Sequence, residues 1–216
     1  MQPQVQRSYY FTEKYLGLYR FVSYYYQARA IMRSRASTVL FIGVGDSMIV
    51  DLLKKDGGDK VVSLDIDASL DPDVVGDIRS LPFSDNSFDL VCAFEVLEHM
   101  PFEDSRKAIA EIARVAKRGA VISVPHRRTG IEFVIKFPFI RSLLKRDYLR
   151  LALLFPVRFN GFEDSGQHYW EIDWYTTSLK TFRNALEEFF SIEREETPVL
   201  DPYRRFFHLT KPFKNV

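Results

Sequence analysis

The sequence predicts an α/β protein whose mostly parallel sheet is covered by helices on both faces, and three observations predict it. Short, continuous apolar runs rich in Val, Ile and Leu recur along the first 125 residues, the pattern of strands buried on both faces. Between them lie stretches with helical length and helical end signals. The composition supports one folded core, since 216 residues with 46% hydrophobic and 27% charged side chains fit a single domain. Thirty Lys and Arg against 29 Asp and Glu leave a net charge of +1, which excludes a globally polyanion-binding surface. One cysteine, Cys92, excludes an internal disulfide and a multi-cysteine metal cluster. No run reaches the roughly 18 apolar residues of a spanning helix, and no signal-like segment opens the chain. The expected compartment is the cytoplasm.

The chain reads as a single domain, 1–216. Residues 8–36 form an N-terminal helical segment that holds seven of the eleven tyrosines. Tyrosine joins an apolar face to a polar tip, so this segment either lines a ligand cleft or packs a helix on the body. Residues 38–125 form the core. Thr38-Val39-Leu40-Phe41-Ile42 is a buried strand that runs into Gly43-Val44-Gly45, and 47–55 is a helix closed by Gly57-Gly58. Strands follow at 60–65, 73–76 and 87–94. Helix 103–117 opens on Glu103-Asp104 and ends on Lys117-Arg118, both ends complementing the helix dipole, with Gly119 as its stop. Strand 120–124 is broken by Pro125.

Residues 126–175 break this rhythm and read as an inserted cap or acceptor lid. Within 126–158, eight Lys and Arg face two acids, for +6, interleaved with Phe, Leu and Ile. Such a segment lies on an anionic membrane surface, receives an amphipathic acceptor, or forms a helical lid with solvated charges. Residues 176–216 supply helix 178–189 and two strands, 190–197 and 204–210, paired antiparallel around Leu200-Asp201-Pro202.

In an open α/β sheet, ligands bind beyond the C-terminal strand ends. Four such ends carry residues suited to one nucleoside-like ligand. Gly43 and Gly45 permit close backbone approach, with Asp46 beside them. Asp65, next to Ile66, follows Gly43 by 22 residues and is placed to accept from both ribose hydroxyls. Asp77 with Ile78 pairs an acceptor with an apolar surface, as an adenine ring and its amino group require. Phe94 and Glu95 end the fourth strand and form the next wall. A dehydrogenase wants a third glycine at position 48, which is Met48.

Four segments carry a resemblance to a family: Val39 to Gly45, Val62 to Asp67, Gly76 to Phe83 and Phe88 to His99 (FDLVCAFEVLEH). In this order they resemble successive motifs of class I S-adenosylmethionine-dependent methyltransferases, closest to the small-molecule type 11 group. The resemblance implies a Rossmann-like, seven-stranded sheet with an antiparallel last strand and S-adenosylmethionine as cofactor. It implies Gly43 and Gly45 at the methionine part, Asp65 at the ribose and Asp77 with Ile78 at the adenine. The sequence departs from the family at Phe41, where an acid is usual, and at Ser47, where a third glycine is usual. A cofactor-binding regulatory protein without turnover is the other class these two residues admit.

Methyl transfer from a sulfonium needs an acceptor held in line, and a base only where the acceptor loses a proton. His99, after the fourth strand, and His168, within Gly166-Gln167-His168-Tyr169-Trp170-Glu171, are the candidate catalytic residues. In this reading residues 167–170 face the methyl side of the cofactor. His126, beside Pro125, is a third possibility. Four histidines and one cysteine show no paired ligand spacing, so no metal is expected. The expected partner is a small or amphipathic molecule; no nucleic acid is expected.

Overall fold

The computed structural model describes residues 6–55, 61–145, 147–156, 168–174 and 177–212. Seven strands form the main sheet: β1 (Val39–Ile42), β2 (Val61–Asp65), β3 (Val74–Val75), β4 (Phe88–Phe94), β5 (Ala116–Pro125), β8 (Ser191–Glu196) and β9 (Arg204–Thr210). Their order is β3-β2-β1-β4-β5-β9-β8. Pairings from β3 through β5 are parallel, and β9 runs antiparallel between β5 and β8. The expected fold class is what the chain adopts.

Alternation along the strands builds two cores, because successive side chains point to opposite faces. Leu40, Ile42, Val91, Ala93, Ile122 and Phe207 enter one cluster. Helices α3 (Phe102–Val115) and α5 (Leu179–Glu187) cover it with Ile109, Ile112 and Phe182. Val39, Phe41, Cys92, Phe94 and Phe206 enter the other. It is closed by α1 (Leu18–Ser34) through Tyr24, Tyr26 and Ile31, and by α2 (Met48–Lys55) through Ile49 and Val50. Among the described residues, no helix is long and apolar enough to cross a membrane.

One helix end differs from the sequence reading. Helix α3 ends at Val115 and the chain passes directly into β5, so Gly119 lies inside a strand. A Cβ there would lie 2.0 Å from the Leu209 carbonyl oxygen of β9; the glycine permits strand approach and does not stop a helix. The predicted Gly57-Gly58 helix stop lies outside the described residues.

The segment after β5 is extended, not a helical lid. Strands β6 (Arg128–Ile135) and β7 (Leu149–Pro156) pair antiparallel as a separate ribbon, with the one-turn helix α4 (Ile140–Leu144) near its tip. Arg150 pairs with Glu132 and donates to the Thr197 and Pro198 carbonyls at 2.8 and 3.1 Å, while Leu200 N–H donates to Glu132 at 2.8 Å. Those contacts tie one face of the ribbon to the β8–β9 loop. The other face carries Ile131, Phe133, Ile135, Leu151, Leu153 and Phe155, each more than 50% exposed.

Candidate functional site

A cavity of about 430 Å³ opens beyond the C-terminal ends of β1, β2 and β4, within the range of small-molecule sites. A wider, open depression of about 1310 Å³ lies at the opposite strand ends, among Arg33, Asp89, Arg114 and Lys211, and none of the candidate site residues lines it.

The floor of the cavity is the first strand-to-helix turn. Gly43 has φ +86° and Gly45 φ +58°, left-handed conformations that favour glycine. A Cβ on Gly43 would stand 2.6 Å from Val96 Cγ2. Ser47, where the family's third glycine is usual, also has a left-handed φ, +62°. A non-glycine residue there stores strain of order 1 kcal/mol, and Ser47 Oγ is held by Asp51 at 2.7 Å. Phe41 turns into the α1-side core, its ring 5.6 Å from Phe94.

Asp65 clasps this turn to β2. One carboxylate oxygen accepts from Val44 N–H at 2.7 Å and the other from Asp67 N–H at 2.9 Å. Burial raises its pKa, with the backbone N–H groups opposing that rise. Each carboxylate oxygen carries two acceptor sites, so one on each remains for a diol.

Ile66, Asp77, Ile78, Phe94 and Glu95 also line the cavity. The Asp77 carboxylate is clasped by Arg79, whose Nε and Nη2 lie 3.0 and 2.6 Å away, and this pairing holds it below the ordinary carboxylate range. Any amino group at Asp77 shares its acceptor with that guanidinium. Glu95 has φ +55°; it accepts from Ser123 Oγ at 2.8 Å and lies 3.3 Å from Arg204.

Asp46 does not line the cavity. Its carboxylate accepts from the Tyr24 hydroxyl and, at 3.2 Å, from Met48 N–H, so it is spent at the start of α2.

Both readings of the N-terminal tyrosines hold, for different residues. Tyr24 and Tyr26 are buried under α1, whereas Tyr9, Tyr10 and Tyr15 line the cavity as an edge-to-face trio. Tyr15 Oη and the Tyr10 ring stand over Gly45, and Arg20 stacks on Tyr15 at 4.1 Å. Burial raises the pKa of both tyrosines, so they are neutral hydrogen-bonding groups.

At the far end of the cavity lie His99 and His168, their rings edge-to-face with centroids 5.0 Å apart. His168 Nδ1 lies 2.9 Å from Glu171, which also accepts from the Tyr203 hydroxyl at 2.6 Å. The residues after His168 do not face the cavity as expected. Tyr169 is exposed, and Trp170 is buried in the core, donating from Nε1 to the Met100 carbonyl and Ser105 Oγ at 3.1 Å each. Gln167 lies outside the described residues. His126 is not at the cavity: it is fully buried, 2.8 Å from Asp173, and burial pushes its pKa down to about 4.

Sequence reasoning did not single out Glu98, Tyr203 or Arg204, which complete the wall. Glu98 had a readable signal, a carboxylate within the apolar Val96-Leu97 turn. Tyr203 and Arg204 had none, because they open a strand more than 100 residues downstream of Glu98. Arg204 is buried between Asp201 and Glu95, and these carboxylates outweigh burial in raising its pKa.

The sheet order and the order of residues around the cavity define a class I methyltransferase fold. Residues 40–124 match the family described as "Methyltransferase domain". That segment is similar to the methyltransferase domains of this family, and it contains the glycine turn and the strand ends that line the cavity. The chain is 38% identical over 82 residues to norajmaline N-methyltransferase of Rauvolfia serpentina, a match covering 37% of this chain and 27% of that protein. It is 50% identical over 50 residues to a probable chloroplastic tocopherol O-methyltransferase of Oryza sativa subsp. japonica, covering 23% and 13%. The chain thus matches less than a third of the length of either relative. The crystal structure of the N-methyltransferase NodS from Bradyrhizobium japonicum WM9, in complex with S-adenosylhomocysteine, superposes with TM-score 0.58. That match has 12% identity and covers 92% of this chain and 90% of NodS, a likeness of fold.

Proposed function

We propose that this chain transfers a methyl group from S-adenosylmethionine to a small or amphipathic acceptor. The observation that carries the reading is one cavity lined by Gly43, Gly45, Asp65, Ile66, Ile78 and Glu95, from successive strand ends, with two histidines at its far end. The residues fit the cofactor. The glycine turn leaves backbone open to the methionine part, Asp65 keeps an acceptor for each ribose hydroxyl, and Ile78 offers an apolar surface to the base. The bound cofactor supplies an already activated methyl group, so the chain's own work is positioning. Tyr10 and Tyr15 close the cavity from the N-terminal side and exclude water. His99 and His168 face the acceptor, and either takes its proton where a hydroxyl reacts.

Relatives named for norajmaline and tocopherol support a small-molecule acceptor. An amphipathic one is favoured by the ribbon, whose exposed apolar face lies in a segment of charge +6. We assign that face to an anionic membrane surface, from which the acceptor is drawn. The single cysteine supports a reducing compartment, the cytoplasm.

Calorimetry with S-adenosylhomocysteine tests the cofactor, with micromolar binding expected; a folded protein with none at high micromolar ligand ends the proposal. Labelled cofactor with cell extracts tests turnover. Label in a small molecule is expected, and binding without any labelled product favours the regulatory reading. Phe133→Asp tests the ribbon: sedimentation with phosphatidylserine-containing vesicles should drop severalfold while cofactor affinity is unchanged.

A further inference from the structure

Glu98 is fully buried, and neither of its carboxylate oxygens has a hydrogen-bond partner. A buried carboxyl group without a partner is costly, and such groups are found paired or bound to metal. Its surroundings add negative charge: Glu95 and Glu171 face it as like charges, opposed by the guanidinium of Arg204, which already serves Glu95 and Asp201. Among the described residues, no cationic side chain hydrogen-bonds the Glu98 carboxylate.

Two imidazoles share the spot. The ligating atoms of Glu98, His99 and His168 all lie within 4.8 Å of one another. Metal–ligand distances of about 2.1 Å put the ligands of a tetrahedral site roughly 3.4 Å apart, so side-chain shifts of about an ångström close the set. His168 is oriented for the task. Its Nδ1 faces Glu171, so the proton belongs on Nδ1 and the Nε2 lone pair is left to bind. Tyr203 fixes Glu171 in turn, and Tyr169 N–H donates to the Glu98 carbonyl at 2.8 Å, locking the two segments together. This carboxylate–histidine arrangement is the outer-shell support that metal-binding histidines carry.

We propose that Glu98, His99 and His168 bind one divalent transition-metal ion at the acceptor end of the cavity, with at least one coordination position open to the acceptor. Two nitrogens and one oxygen select zinc-like ions over magnesium or calcium, which prefer oxygen alone. The use of the ion rests on the methyl-transfer reading, although its binding does not. With the ion bound, both imidazoles are ligands and neither acts as the base: an acceptor hydroxyl on the open position loses its proton to solvent instead, and the oxygen attacks the methyl carbon. The O–C bond forms as the C–S bond breaks, and the electron pair stays on sulfur as S-adenosylhomocysteine.

The test is calorimetry of Zn²⁺ into the chelator-treated 216-residue chain, with S-adenosylhomocysteine titrated into the same samples. One equivalent of Zn²⁺ should bind with micromolar or tighter affinity. Glu171→Gln should weaken it about 10–100-fold, as loss of an outer-shell partner does, and Glu98→Gln and His168→Gln by more. S-adenosylhomocysteine affinity should stay within about threefold in all three. Glu98→Gln is near-isosteric and replaces a buried carboxyl group that has no hydrogen-bond partner, so its melting temperature without metal should not fall, which keeps it usable as a folded variant. Zn²⁺ affinity that is absent, or equal in wild type and both ligand variants, overturns the site whether or not S-adenosylhomocysteine binds. So does an alkylammonium probe that binds and is lost in Glu98→Gln when Zn²⁺ does not bind. Zn²⁺ binding without S-adenosylhomocysteine binding leaves the site standing and ends the methyl-transfer reading.

Discussion

The protein contains two histidine–carboxylate pairs that look alike locally and differ in everything around them. His126 lies 2.8 Å from Asp173 and His168 lies 2.9 Å from Glu171, with both carboxylates on the same short segment. His126 has no opening to the cavity. It is enclosed where the end of β5 meets Ile172, its N–H donating to the Tyr203 carbonyl. His168 lines the cavity beside His99 and the unpartnered Glu98. A histidine paired with an acid is therefore no marker of chemistry by itself. The neighbour that lacks a partner is the better marker, because a fold has no reason to keep an unsatisfied carboxylate that nothing uses.

The largest expected effect comes from the structural pair and is read in stability. The folded pKa of His126 is pushed down to about 4 from an ordinary 6.5, so the unfolded chain binds the extra proton between those values. Stability gained from the neutral imidazole is complete above about pH 6.5 and is lost as pH falls toward 4. The full difference is about 3 kcal/mol at roughly 1.4 kcal/mol per unit. Urea melts at pH 7, 5.5 and 4 should show this slope in wild type and a flatter one in His126→Gln. Equal slopes would mean that other groups govern the acid limb and that the two pairs do not differ in this way.

Asp65 sharpens the comparison from the cofactor side, as a carboxylate that is well partnered and still has capacity left. Asp65→Ala should weaken S-adenosylhomocysteine binding by about 1.5–3 kcal/mol, the range for hydrogen bonds to a charged group. His126→Gln should leave that affinity unchanged at pH 7. An Asp65→Ala protein that binds as wild type does would show that Asp65 serves only the glycine turn.

What was legible in the sequence follows the range of the interactions. Gly43, Asp65 and Ile78 sit at the ends of short buried strands, and the sheet carries such ends to one edge with no help from distant residues. The sheet itself was legible because alternation sorted Leu40 and Ile42 from Val39 and Phe41 before any contact was known. Two features needed tertiary context. Gly119 has the look of a helix stop, yet it answers a carbonyl on a strand some 90 residues later. A helical lid is one of the readings the ribbon's sequence admits, because basic residues among Phe and Leu suit an amphipathic helix, although Ile131, Phe133 and Ile135 already repeat every second residue. Glu98 and His168 lie 70 residues apart, and no spacing rule pairs them. Their meeting depends on the segment that starts at His168 packing on the turn after β4, where Tyr169 N–H reaches the Glu98 carbonyl.

The smallest effect is the one that separates the two halves of the cavity. His168→Ala removes a ring that lines the acceptor end and leaves every group clasping the glycine turn in place. Its partner Glu171 keeps the Tyr203 hydroxyl, and Trp170 and Asp173 keep their own side-chain ties to the body. S-adenosylhomocysteine affinity should therefore change by no more than about 1 kcal/mol, while the rate of label transfer to the acceptor falls by a larger factor. His126→Gln, measured beside it at neutral pH, should keep its transfer rate near wild type. A His168→Ala protein that loses affinity and rate equally would place His168 with the cofactor or the fold, and the contrast between the two pairs would then be one of location alone. Loss of rate with affinity intact fixes the division of the cavity: backbone and Asp65 for the cofactor, imidazole and Glu98 for the acceptor.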